Sequence, residues 1–246
     1  MTAALTWTEI KLLSREPLTL VVSLLFPIVL MALLLASFGN EPSAEFMGIG
    51  GTDFYVPSYL GAAIAVMGLI GVLTHLALYR RDGVLRRLRA AGVSATSVMT
   101  AQAFVMAVLA VLGAGAMVAI AASGFEMSAP VSVAGAALGF AAGLAAFTGI
   151  GLFLGTLMPT PRAAQGFGLL IFFSLFFLVG GGPPPTLLPE WMNTAVGYTP
   201  MGQLADAIRS PWTGAGTEVA ALVGLFLIAI VTVALAHRRL TRHDLT

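Results

Sequence analysis

Long apolar runs without a formal charge most narrowly limit what this chain can fold into. Residues 17–39, 56–78, 95–122, 131–157 and 163–181 contain no Asp, Glu, Lys or Arg, and 218–236 carries only Glu218 at its start. About 20 predominantly apolar residues wound as a helix cover the hydrocarbon thickness of a bilayer, so each run is long enough to cross. A mean hydropathy of +0.96, with 58% apolar and 9% charged residues, is far outside the range of a soluble domain. The expectation is an all-α integral membrane protein, one transmembrane domain over 1–246, with six spans at those positions.

Between the second and third runs lies a short basic segment, residues 79–94, YRRDGVLRRLRAAGVS. Arg80, Arg81, Arg86, Arg87 and Arg89 are five of the 12 basic residues of the chain. At roughly 2.5 to 3.5 kcal/mol per arginine at the bilayer centre, burying all five would cost about 12 to 18 kcal/mol, so this segment stays in water. Wound at 100° per residue, Val84, Leu85, Leu88 and Ala91 gather on one side and Arg86, Arg87 and Arg89 take the rest. Asp82 and Arg86 stand at i,i+4 and would support the helix start. Two readings are open: a positive-inside loop that only orients the protein, or an arginine-ringed apolar stripe that fits a groove on another protein.

The pattern from Arg80 to Ser94 resembles the cytosolic coupling segment of ABC-2 type permeases, the membrane subunits of one class of ATP-binding-cassette exporters. Gly83, Leu85, Leu88, Arg89, Ala90, Val93 and Ser94 fit that family's pattern; Tyr79 and Arg81 replace its usual glutamates, and Gly92 its usual proline. The resemblance implies that Asp82, Gly83, Val84, Leu85, Arg86, Arg87, Leu88 and Arg89 form the contact with a separate ABC ATPase subunit. It also implies a second permease copy, as homodimer or heterodimer, and ATP and Mg bound on the partner ATPase with no cofactor on this chain. With the first, second and fifth spans at the dimer interface, Met31, Tyr59, Met67, Phe172 and Phe176 become candidates to line the substrate pathway. Replacing Leu85 and Leu88 with glutamate is then expected to abolish ATPase association and leave membrane insertion intact.

The rest of the chain is consistent with such a permease. Residues 2–16 are too polar to span and read as an interfacial helix, with Lys11 and Arg15 on the cytosolic side. Pro27 falls inside the first span, and residues 40–55, with Glu41, Glu45 and Asp53 but no basic residue, read as an external loop. In the fourth span Gly135, Gly139, Gly143, Gly151 and Gly155 keep a four-residue register broken only by Phe147, a face for close helix packing. Gly180 to Gly182 and Pro183 to Pro185 end the fifth span; 186–216 then reads as short amphipathic helices divided by Pro200 and bounded by Pro189 and Pro211, which the resemblance implies are short external helices or a re-entrant pair before the last span. Trp191, Tyr198 and Trp212 suit an aromatic belt.

Counting charge by alternate connections places Lys11, Arg15, Arg80, Arg81, Arg86, Arg87, Arg89, Arg162, Arg238, Arg239 and Arg242 on one side and Arg209 alone on the other. By the positive-inside rule both termini are cytoplasmic, in the inner (plasma) membrane; alanine abundance points to a bacterium.

Several chemistries are excluded or disfavoured. The only lysine, Lys11, is followed by leucine, so no G-x-x-x-x-G-K-[ST] phosphate loop exists in this sequence. There is no cysteine, and His75, His237 and His243 are too scattered to suggest a metal site. Net charge of +1 gives no basic field for nucleic acid, so membrane lipid and protein are the expected partners. Every carboxylate lies in a connection or at a span end, which disfavours an ion-coupled carrier. The functional expectation is an ATP-driven exporter of an amphipathic or hydrophobic compound, such as a drug, antibiotic or lipid-linked molecule. A passive or ion-coupled carrier and a non-transporting membrane scaffold stand as alternatives.

Overall fold

The computed structural model describes residues 17–179, 181, 186 and 189–242, with the backbone alone for 17–24 and 242. The expected interfacial helix over 2–16 lies outside the described residues, as do Leu187, Leu188 and most of the glycine-proline stop. The described chain is helical: α1 (Pro17–Phe38), α2 (Gly51–Arg81), α3 (Val84–Ala90), α4 (Ala95–Gly124), α5 (Val133–Gly155), α6 (Pro161–Leu178), α7 (Glu190–Gly197), α8 (Pro200–Thr213) and α9 (Val219–Arg242). Among the described residues α2, α4, α5, α6 and α9 are long and apolar enough to cross a membrane. With α1 a further 22-residue apolar helix containing Pro27, the chain is a multi-pass membrane protein.

Helix α2 runs through the centre of the bundle, and most of its residues are buried. It starts five residues before the expected span, at Gly51, so residues 51–55 are helix rather than external loop. The reason is the first-turn carboxylate. Asp53 favours the positive end of the helix dipole, and it accepts from the Ser128 amide at 2.9 Å and the Asn40 amide side chain at 3.3 Å. Asn40 Oδ1 in turn accepts from the Asp53 amide at 3.1 Å, and a 3₁₀ turn over Ala44–Phe46 tucks Phe46 into the core.

Midway, α2 widens into a π-helical segment, Met67–Val72. Glycines let two neighbours cross it there. A Cβ on Gly151 of α5 would lie 2.2 Å from the Gly68 carbonyl oxygen, and one on Gly168 of α6 2.1 Å from that of Leu69. No side chain fits at either crossing, so backbone meets backbone.

The glycine register of α5 is a packing face, and it serves two neighbours. Gly151 and Gly155 lie on α2, while Gly135, Gly139 and Gly143 receive Pro211, Ala207 and Leu204 of α8. Phe147, which breaks the register, is buried between the two sets with its backbone against Gly68.

Of the two placements that the resemblance implies for this segment, external or re-entrant, α8 takes the one that enters the bundle. Leu204, Ala205, Ala207 and Ile208 are buried, and Leu204 meets both Gly61 of α2 and Gly143 of α5. Each of those glycines is ten residues into its helix, about 15 Å along the axis, so α8 dips roughly half a bilayer into the bundle. Pro200 starts it as the first-turn proline, with Thr199 Oγ1 accepting from the Gly202 amide at 3.0 Å. Pro211 does not bound the helix; it sits in the last turn. Lacking an N–H, it leaves the Ala207 carbonyl without its i+4 donor, and that carbonyl rests over Gly139.

Candidate functional site

The basic segment is built by two reversals. Asp82 caps the end of α2, its amide donating to the Leu78 carbonyl at 2.9 Å, and Gly83 at φ 67° breaks the axis before α3 begins. At the other end Gly92 takes φ 79°; its amide donates to Arg89 O at 2.8 Å and that of Val93 to Leu88 O at 2.9 Å. These are the paired bonds of a Schellman cap, and the accompanying apolar contact is Leu88 with Val93. The left-handed turn explains the glycine at this position. Ser94 then starts α4, its Oγ accepting from the Ser97 amide at 3.1 Å.

This geometry corrects one expectation and qualifies another. Asp82 lies on the cap of α2 and not on α3, so the i,i+4 pair with Arg86 does not form; Asp82 Oδ1 instead pairs with exposed Arg81 Nε at 2.8 Å. The apolar stripe is covered in part: Leu85 is buried, whereas Val84 and Leu88 are half-buried and Ala91 is exposed. Leu85 is 8% exposed and, with Val84 and Leu88 beside it, packs on Tyr79, Val93, Val98 and Leu240. What α3 turns outward is Arg86, Arg87 and Ala90, flanked by Arg81 and Asp82.

Two arginines of the segment turn inward to helix ends. Arg80 Nη1 donates to the carbonyl of Gly155, the last residue of α5, at 3.1 Å and to Met158 O at 3.2 Å. Arg89 Nη2 donates to the carbonyl of Leu240 in the last turn of α9. Carbonyls of a final turn have no intrahelical donor and carry the negative end of the helix dipole, so a guanidinium suits both. In the sequence alone Arg89 reads as a partner contact and Arg80 only as an orienting charge. Their position beside basic helix ends is the one local hint of this capping.

The five candidate pathway residues are all buried, from 0% for Met31 and Tyr59 to 4% for Met67. Met31, Tyr59, Phe172 and Phe176 share one apolar core, whereas Met67 belongs to a second one around Leu85. Tyr59 Oη donates to Gly181 O at 2.9 Å and its ring meets Phe176 edge-on at 5.3 Å; Phe172 stacks on Phe176 at 5.3 Å. These residues are packed core in one copy of the chain and line no open passage among the described residues. His75 lies edge-on to Tyr79 at 4.5 Å, near the arginine end.

The opposite end holds a buried cation that no sequence pattern marks. Arg209 of α8, 12% exposed, donates to Ser58 Oγ at 2.7 Å and holds its guanidinium carbon 4.1 Å above the Phe54 ring. Asp206, 47% exposed, stands 3.7 Å away.

A basic segment tied to several spans at one end, and most of a buried helix ahead of the last span at the other, lie within a match to a known family. The family model of ABC-2 type transporters covers residues 2–211. The chain belongs to the ABC-2 type transporter family. Its match takes in the basic segment and most of α8 and stops before α9. No curated protein matches the chain. As an ABC-2 family member it is a membrane permease component, and such components generally work with an ABC ATPase.

Proposed function

We propose that this ABC-2 permease is the membrane subunit of an ATP-driven exporter. It spans the membrane six times with both termini cytoplasmic, pairs with a second permease copy, and is driven by a separate ATPase that carries the ATP and Mg. The supporting observation is the wiring of α3. A push on it reaches α2 and α4 through the chain, α5 through Arg80 and α9 through Arg89. The apolar core around Leu85, Leu76, Val98 and Leu240 makes that connection stiff.

The partner contact on this reading is the outward set Arg81, Asp82, Arg86 and Arg87, with Leu85 and Leu88 holding α3 in place beneath it. Charged, exposed groups give specificity and association rate, while the buried stripe supplies rigidity. The pathway forms between two copies along α1 and α6. There Leu25, Val29 and Leu33 of α1 and Leu170 and Phe177 of α6 present exposed apolar side chains, and Phe26 meets Phe173 edge-on at 5.8 Å. Such a surface suits an amphipathic or hydrophobic substrate moved outward.

Affinity purification in mild detergent, with mass spectrometry and an ATPase assay on the eluate, tests this. A stoichiometric nucleotide-binding subunit, lost in the Arg86→Glu/Arg87→Glu variant, is the expected result. A chain that comes down alone and without ATPase activity across several detergents would remove the ATP-driven reading.

A further inference from the structure

At the arginine end of the bundle, a groove of about 830 Å³ opens between the first half of α4 and the last halves of α5 and α9. Helix α9 lies close along α5, where Gly149 fits under Thr232, while α4 stands off both. Alanines at 103, 107, 145 and 234 keep the space open. Its walls are apolar, but its mouth is not: His237 and Arg238 of α9 and Thr96 and Thr100 of α4 lie there, and no lining residue is acidic.

The dimensions match one leaflet. From Thr96 to Ala107 the groove follows twelve residues of α4, about 16 Å of helix. Half the hydrocarbon thickness of a bilayer is about 15 Å. The cationic mouth sits at the level of Arg80, Arg89 and Arg162, where the apolar spans end, and the closed end lies near mid-membrane.

We propose that this groove is a seat for one acyl chain of an anionic phospholipid from the leaflet on the arginine side, its phosphate held by Arg238 and His237. A bilayer lipid enters sideways between α4 and α9 without crossing water, because the groove is open to the membrane face. Charge complementarity selects an anionic headgroup over a zwitterionic one, at about 1 kcal/mol per basic residue. The seat ends at His237 and Arg238, in the same last turns of α9 as Leu240, whose carbonyl receives Arg89, so an occupied groove braces the end of α9 to which α3 is tied. This inference rests on membrane embedding alone and does not need an ATPase partner.

Native mass spectrometry of the full chain, purified in detergent with added phosphatidylglycerol or phosphatidylcholine, tests it. One phosphatidylglycerol per chain is expected, with the preference over phosphatidylcholine falling about tenfold in Arg238→Glu. Ala145→Phe should empty the groove while leaving the thermal midpoint unchanged. Equal retention of both lipids, or full retention in Ala145→Phe, would overturn the proposal. A second measurement needs no variant: photoactivatable phosphatidylglycerol should label Ala103, Ala145 and Val233 ahead of the outward Phe104 and Leu112. Even labelling of all lipid-facing positions, or crosslinks from the groove to residues 1–16 or to a second copy, would sink it.

Discussion

Arg80 reaches from the end of α2 to the carbonyl of Gly155, 3.1 Å away, and so closes the C-terminal end of α5. Arg89, on the far side of α3, does the same for α9 at Leu240. The segment that the sequence marks as basic is therefore partly a device for joining helix ends; Arg86 of α3 is turned outward, and Arg87, though exposed, donates to the Asp82 carbonyl at the end of α2 at 3.1 Å.

Removing either cap should uncouple without unfolding. Arg80→Met and Arg89→Met each lose one charge-assisted bond to a helix end, about 1 kcal/mol for groups this close to solvent. Thermal midpoints in detergent should fall by only a few degrees, whereas transport per ATP hydrolysed by the reconstituted complex should fall severalfold. Unchanged coupling in both variants would mean that these bonds transmit nothing.

The two faces of α3 should separate folding from assembly. Leu85→Glu puts a charge into an apolar core and should cost at least about 3 kcal/mol, visible as loss of monodisperse protein. Arg86→Glu touches only an exposed side chain and should leave the stability within about 0.5 kcal/mol of the parent, and Arg87→Glu, which also loses the bond to the Asp82 carbonyl at 3.1 Å, should cost no more than about 1 kcal/mol. Size-exclusion profiles and thermal melts of the chain alone read both outcomes.

Glycine positions should divide by what stands over them. At Gly139 a Cβ would lie 2.2 Å from the Ala207 carbonyl oxygen, so Gly139→Ala must push α8 off α5, at a cost of about 1 to 3 kcal/mol. Gly166 of α6 has nothing within 4 Å, and Gly166→Ala should be neutral or stabilising by up to about 1 kcal/mol. Equal melts for the two would contradict the described seat of α8.

Arg209 should matter more than its neighbour Asp206. Arg209→Met loses the Ser58 bond and the stacking on Phe54, about 1 to 3 kcal/mol together. Arg209→Lys keeps the charge but not the planar contact and should lie between Arg209→Met and the parent. Asp206→Asn should cost under about 1 kcal/mol, because the carboxylate is half exposed and 3.7 Å from its partner. Thermal melts of the three variants give the order.

Span positions, the charge asymmetry of the two ends and the packing face of α5 are legible in the sequence by itself. Hydropathy and charge act through each residue's own transfer between water and lipid, and a four-residue glycine register is a property of one helix. Which surface a short amphipathic helix covers is not local in that way. The stripe of Val84, Leu85 and Leu88 reads the same whether it faces another protein or the ends of its own spans, and only the placement of α4 and α9 beside it shows that Leu85 is covered while Val84 and Leu88 stay half-buried. Likewise, 200–213 is amphipathic enough to lie outside the bundle, and it enters because Gly61, Gly139 and Gly143, on two other helices, leave a cleft its apolar face can fill. Proximity across 75 and 151 residues of chain adds a capping role to Arg80, legible only as an orienting charge, and to Arg89, legible only as a partner contact, since the carbonyls they satisfy belong to helices that meet them only in the folded bundle.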